Sequence, residues 1–282
     1  MSIDTHSLLI NSLRNSSYQQ LIIDKASLTN QLVGFWGSFW TSTGFPGVGA
    51  TPALTAVCNN SLAGCLPTVN PIGTDKMYIG SIEASMINGL QSVEIHDRLV
   101  HMGGLSGTVT TAQNVLIDLA NTTLSSASNL QGRKGANNYS EVYWWLESYA
   151  DAGATAVTLT ANAIFNDGTS GNLTGLSLPR FRQGQAYSLN NLIPAAQAGK
   201  YIRGINTIAL SATTTGAGNF GVTATCYKAS VFLPIPNMPE KRYWRCISMP
   251  EILASSCLSL IAPASIAGTP GGFRAVVRTC NG

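Results

Sequence analysis

Few side chains in this sequence have types and spacings that suit chemistry. His96, Asp97 and His101 fall within six positions, and His with Asp is a metal-ligating combination. On a strand, neighbouring side chains leave by opposite faces. His96 and Asp97 therefore diverge, and so does His101, an odd number of residues beyond His96. A structural role is expected for all three. Glu141, Glu147, Asp151 and Asp167 are the carboxylates available for acid–base work. Glu141 and Glu147 would share a strand face roughly 20 Å apart, outside the roughly 5–9.5 Å of glycosidase carboxylate pairs. Gly216-Ala217-Gly218-Asn219-Phe220-Gly221 matches a dinucleotide-binding loop by letter. Strand-like residues follow it, so the helix N-terminus that would meet a pyrophosphate is missing and a loop between strands is expected. No nucleophile elbow, P-loop or His-rich zinc motif occurs. The expectation is a chain without catalytic residues, cofactor or metal.

Six cysteines are present, Cys58, Cys65, Cys226, Cys246, Cys257 and Cys280, and none shows zinc-finger spacing. Cys58 and Cys65 flank a short loop and form a candidate disulfide in an oxidising medium. In a reducing cytoplasm both are expected as buried thiols.

Two aromatic clusters stand out as candidate interface anchors. Phe35, Trp36, Phe39, Trp40 and Phe45 adjoin a stretch carrying Gly44, Pro46, Gly47, Gly49 and Pro52. That composition reads as an extended arm laid across a neighbour. Trp144 and Trp145, between Tyr143 and Tyr149, form the second cluster. On a strand one Trp enters the core, while the other is free to anchor a protein or stack on a sugar. Core packing of both is the alternative.

The elements that must position these residues read as strands. Residues 155–165 alternate, with Val157, Leu159, Ala161 and Ala163 on one face. Asp167-Gly168 marks a turn, and residues 172–178 return. Residues 78–84 and 93–99 suggest a hairpin about Gly89, and residues 201–212 and 220–233 a further pair. Pro250 and Glu251 suit the start of a short helix running to Cys257. Leu8, Leu9 and Leu13 suit an N-terminal amphipathic helix. The fold class expected is mainly β, a β-sandwich or jelly-roll-like domain with extended N-terminal and C-terminal arms. The loop at residues 132–138 and the prolines Pro234, Pro236 and Pro239 divide the chain into three regions. These are a β-rich region at 1–135 with a short helix and the Gly/Pro arm, a central β-sandwich at 136–236, and a C-terminal arm at 237–282.

Only 10% of the residues are charged and 45% are hydrophobic, against roughly 25% charged in ordinary domains. No apolar run approaches the roughly 18–20 residues that span a bilayer. Interface cores are depleted in charge, so other protein chains are the natural partners of such a surface. A net charge of +3 does not call for nucleic acid. The basic and aromatic run Lys241-Arg242-Tyr243-Trp244-Arg245 reads as a solvated strand edge or an interface anchor. No secretory signal is read at the N-terminus, so synthesis in the cytoplasm is expected.

Four stretches carry a family resemblance. They are VGFWGSFWTSTGFPGVGATPA at 33–53, DRLVHMGGLSGT at 97–108, SEVYWWLESYADAGATAVTLT at 140–160 and TTGAGNFGVTAT at 214–225. Together they resemble structural proteins from the virion modules of tailed bacteriophages, of the capsid decoration or cement type. The resemblance implies a β-rich protein that sits on a capsid lattice as a symmetric homo-oligomer, often a trimer. It implies capsid or other virion proteins as partners and no catalytic residues. A carbohydrate- or receptor-binding module of the virion, using Trp144, Trp145 or Tyr149, is the rival reading.

Overall fold

The computed structural model describes the chain except residues 1–4, 15–18, 29–30, 72, 74, 89–90, 136–137, 265–270 and 282. The strands are β1 (Gln20–Lys25), β2 (Trp36–Ser38), β3 (Gly44–Phe45), β4 (Ala56–Val57), β5 (Met77–Met86), β6 (Gln91–Leu105), β7 (Gln113–Asp118), β8 (Val142–Ala150), β9 (Val157–Phe165), β10 (Ser170–Leu178), β11 (Gln185–Ser188), β12 (Ile202–Leu210), β13 (Asn219–Leu233), β14 (Glu240–Tyr243), β15 (Glu251–Ile252), β16 (Leu258–Pro263) and β17 (Phe273–Asn281). Among the described residues, four short α-helices accompany them: α1 (His6–Arg14), α2 (Thr122–Ser126), α3 (Leu130–Arg133) and α4 (Trp244–Ile247). The fold is mainly β, as the period-two patterning predicts. The chain forms two compact units. Unit 1 comprises Met1–Ala50, Asn59–Asp97 and Tyr227–Gly282, and unit 2 comprises Thr51–Cys58 and Arg98–Cys226. The expected blocks 1–135, 136–236 and 237–282 cut across both units.

Unit 1 is a β-sandwich. Its larger sheet has the order β14-β5-β17-β1-β3, with β15 also paired to β5. β17 pairs antiparallel with β1 on one side and β5 on the other. β1 alternates strictly, with Leu21, Ile23 and Lys25 buried. In the second layer, β16 pairs with β2 and with residues 94–97 of β6. The core gathers Ile23, Ile82, Ile95, Val231, Leu260 and Phe273. Each such buried side chain stabilises the unit by about 1.5–3 kcal/mol.

The expected hairpin of residues 78–84 and 93–99 is not formed. β5 and β6 belong to different layers, because each has one apolar face and both faces close on the same core through Ile82 and Ile95. The turn assigned to Gly89 lies outside the described residues, as do Ala136 and Asn137 of the expected boundary loop. Helix α1 forms where expected, but the side chains of Leu9 and Leu13 are outside the description.

The C-terminal stretch is not an arm. It supplies β14 to β17, and alternation in β17 sends Phe273, Ala275 and Val277 into the core. The helix expected from Pro250 is replaced by β15. The Pro250 carbonyl accepts from the Ile79 amide at 3.1 Å, and Glu251 and Ile252 pair with Tyr78 and Met77. A single helical turn forms earlier instead, at α4.

Unit 2 contains a four-stranded antiparallel sheet of order β10-β9-β12-β7. β9 buries Val157, Leu159, Ala161, Ala163 and Phe165, as its alternation predicts. Asp167 Oδ1 accepts from both the amide and the hydroxyl of Thr169, at 3.0 and 2.7 Å, and Gly168 takes φ 85°. That turn returns the chain as β10, antiparallel to β9. β12 and β13 do not pair as expected. β12 lies between β9 and β7, whereas residues 219–226 of β13 pair with β8. The Gly-rich segment before β13 is a loop leading into a strand, as expected.

Candidate interaction surfaces

The first aromatic cluster divides by burial. Phe39 and Trp40 are buried, Phe35 and Trp36 half-buried, and Phe45 is 49% exposed. Phe39 packs 6.2 Å from the Phe273 ring. The Trp40 indole donates to the Ala50 carbonyl at 2.9 Å, and the Gly49 amide donates to the Trp40 carbonyl at 2.8 Å. A Cβ built at Gly49 or Gly64 would lie 2.2 and 2.7 Å from that ring. The Gly/Pro stretch therefore corrects the expected arm. Its residues up to Ala50 are folded back toward Trp40 of their own unit, because glycine alone lets two backbone segments close on an indole.

The second cluster is also buried. The Trp144 indole donates to the Ile202 carbonyl at 2.9 Å, and the Trp145 indole to Thr225 Oγ1 at 2.9 Å. Neither tryptophan is an outward anchor; both bury because both indole N–H groups find internal acceptors. Tyr143 is the exposed ring, stacked on Trp145 at 6.5 Å.

Of the candidate carboxylates, Glu147 sits in a buried polar cluster. It receives Arg98 through two guanidinium nitrogens, at 3.2 and 2.6 Å, and Thr223 Oγ1 at 2.6 Å. The Tyr149 hydroxyl donates to it at 3.1 Å. Arg98 Nε donates to His101 Nδ1 at 3.1 Å. Burial opposes the Arg98 charge, but the Glu147 carboxylate outweighs it and holds the guanidinium protonated beyond its ordinary range. Burial, reinforced by Glu147, pushes the Tyr149 phenol up, so it stays a donor. Arg133, also buried, donates to the carbonyls of Cys58 and Arg98 at 2.6 and 2.7 Å. Each group is fixed in a hydrogen bond, and the cluster holds strands together. Sequence reading did not single out Arg98 or Arg133. A charged residue inside the apolar-flanked β6 run was the available signal for Arg98.

His96 and Asp97 do diverge. His96 Nε2 lies 2.8 Å from Glu94, whereas Asp97 accepts from Ser256 Oγ and the Cys257 amide at 2.9 and 2.8 Å. Among the described residues, no group of three or more His, Cys, Asp or Glu is placed to hold a metal ion.

Cys58 and Cys65 are buried thiols, in units 2 and 1 respectively, and the Cys65 thiol donates to the Leu62 carbonyl at 2.9 Å. The candidate disulfide is not formed. Five cysteines are buried and Cys246 is exposed. A native thiol titration with an aromatic disulfide reagent is therefore expected to show one fast thiol. The remaining five should react only after denaturation, since reactivity needs access. A second fast thiol would show one of the buried sites to be open.

The outward sheet faces differ. In unit 1, outward residues of the larger sheet are ion-paired. Asp24 meets Arg274 at 3.2 Å, and Glu83 meets Lys241 at 3.4 Å and Arg278 at 3.5 Å. The basic and aromatic run lies on this edge, in β14 and α4. In unit 2, β9 turns Thr158, Thr160 and Asn162 outward. Asn162 Nδ2 donates to Asn172 Oδ1 at 2.9 Å, and Asn206 Nδ2 donates to Asn162 Oδ1 at 2.9 Å. This amide ladder crosses three strands, and exposed Asn114 pairs opposite Thr207 on the fourth. The charges of this sheet are kept to one end. There Arg203 bonds both Asp118 oxygens at 2.9 Å, and Lys200 meets Asp167 at 2.7 Å.

No family model and no curated protein matches the chain. Among solved structures, it is 11% identical to the VP2 subviral particle of infectious bursal disease virus, over 99% of this chain and 82% of that one, with a TM-score of 0.17. A mutant of VP2 from the same virus, in derived T=1 particles, is also 11% identical, over 98% and 82%, with a TM-score of 0.14. Among the described residues, no helix is long and apolar enough to cross a membrane.

Proposed function

We propose that this chain is a non-enzymatic structural protein of a virion, made in the host cytoplasm, that binds the capsid surface and bridges its subunits. The observation that carries the reading is the outward face of the four-stranded sheet in unit 2. Its Asn162, Asn172 and Asn206 amides are held in a row without a charge among them. Burying charge against a partner is costly, whereas an uncharged amide row exchanges water for partner groups at little cost. The resemblance of the four stretches between residues 33 and 225 to phage decoration proteins supports the same partners. Those are further copies of the chain, as a symmetric homo-oligomer such as a trimer, and capsid or other virion proteins. Repetition on a lattice would convert modest contacts into avidity. The rival sugar-binding reading relied on Trp144, Trp145 or Tyr149, and all three are buried.

Mass spectrometry of purified virions is expected to find the chain, and co-sedimentation to show it on capsids. Thr160→Lys and Asn172→Lys place a charge on the uncharged face. Each is expected to weaken capsid binding about tenfold or more, with an unchanged circular dichroism spectrum. Absence from virions, or wild-type binding by both variants, would refute the assignment.

A further inference from the structure

Lys25 closes β1 with its side chain turned inward, and it is 1% exposed. Its ammonium donates to the carbonyls of Ser42 and Gly47, at 3.0 and 3.1 Å. Both acceptors are neutral. The residues paired with it across the sheet are Phe273 on β17 and Gly44 on β3. Residues 42–50 bring no titratable side chain. Asp24 and Arg274, the adjacent charges, are exposed on the sheet's other face and bind each other. Among the described residues nothing in this surrounding neutralises the cation, and burial lowers the amine to about 8.

The cover over this site is one short segment, with Pro46 and Gly49 buried and Val48 outward. After β3, residues 46–50 are held by the Gly47 carbonyl on Lys25, the Gly49 amide on the Trp40 carbonyl, and the Trp40 indole on the Ala50 carbonyl. Val48, at its crest, is 47% exposed. Lifting this short segment would hydrate the ammonium without unpairing β1 from β17.

We propose that residues 46–50 form a hinged strap over Lys25, opening most readily at neutral pH and drawn shut in alkali. The sign follows from linkage. With the strap open, the amine is hydrated and keeps its proton up to the ordinary lysine range. With it closed, the amine gives up that proton earlier. Between pH 8 and about 10.5 the open form therefore binds more protons, and raising the pH favours closure. Below about pH 8 both forms are protonated and opening no longer depends on pH. The intuitive picture, of a charged lock that releases when neutralised, has the opposite sign.

The test is native-state proteolysis within residues 46–50, with a protease active from pH 7.5 to 10. Rates are normalised at each pH to a free peptide of the same sequence. Cleavage that is slow relative to reclosing reports the open population. The normalised wild-type rate is expected to fall roughly 50-fold between pH 7.5 and 10. Lys25→Met should abolish that dependence, and Lys25→Arg, charged throughout, should stay as open at pH 10 as at 7.5. A flat or rising wild-type profile would overturn the proposal, and this result needs no variant to fold. An unchanged pH dependence in Lys25→Met would overturn it as well.

Discussion

Glu147→Ala is expected to destabilise unit 2 by about 3–5 kcal/mol. The carboxylate is the counter-charge of Arg98, which is 1% exposed and has its two terminal guanidinium nitrogens on Glu147. Removing it leaves a buried cation facing Tyr149, Thr223 and His101, none of which supplies negative charge. A second buried guanidinium, Arg133, donates to the Arg98 carbonyl. The double replacement Arg98→Met with Glu147→Leu removes both charges together. It should recover most of the loss, because an apolar pair of similar volume is often as stable as a buried ion pair. Urea denaturation of the wild type and the two variants measures this. If the double variant is as unstable as the single one, the cluster's hydrogen bonds dominate over its charge balance.

Trp40→Ala is expected to cost unit 1 about 3–5 kcal/mol. The indole fills the space between Gly49 and Gly64 and carries one of the strap's hydrogen bonds. Neither glycine has a side chain to move into the hole, so the cavity would collapse poorly. Thermal and chemical denaturation should both register the loss. Weakened self-association at full stability would instead restore Trp40 as an interface anchor.

That reversal shows where the sequence was legible and where it was not. Alternation in β9 was readable because a half-buried strand writes its burial into successive residues. The same signal is present in FRAVVRTCN of β17, but Pro234, Pro236 and Pro239 upstream of it look like a boundary before an arm. Pairing was harder. β5 and β6 are consecutive strands with an expected turn between them, and only the shared core shows that they lie in separate layers. The aromatic clusters were visible as clusters. Their burial depends on contacts distant in sequence, such as Gly64 against Trp40 and Ile202 against Trp144, which no local pattern records. Arg98 is the clearest omission. Its partner Glu147 is 49 residues away, so neither residue announces the other.

The position of β17 has a consequence for the timing of synthesis. β17 follows the other described strands of unit 1 in chain order, yet it stands in the middle of that unit's larger sheet, between β5 and β1. A ribosome that has delivered β1 and β5 must still translate nearly two hundred residues before the strand that joins them emerges. At 5–20 residues per second the interval is about 10–40 s. Unit 2's stretch from Arg98 to Cys226 is finished within that wait. Meanwhile two strands of unit 1 hold unsatisfied edges and an uncovered apolar face, the state most exposed to misassociation. Nascent chains stalled short of Phe273 should therefore be bound by chaperones through β1 and β5, and released once β17 has cleared the ribosomal tunnel.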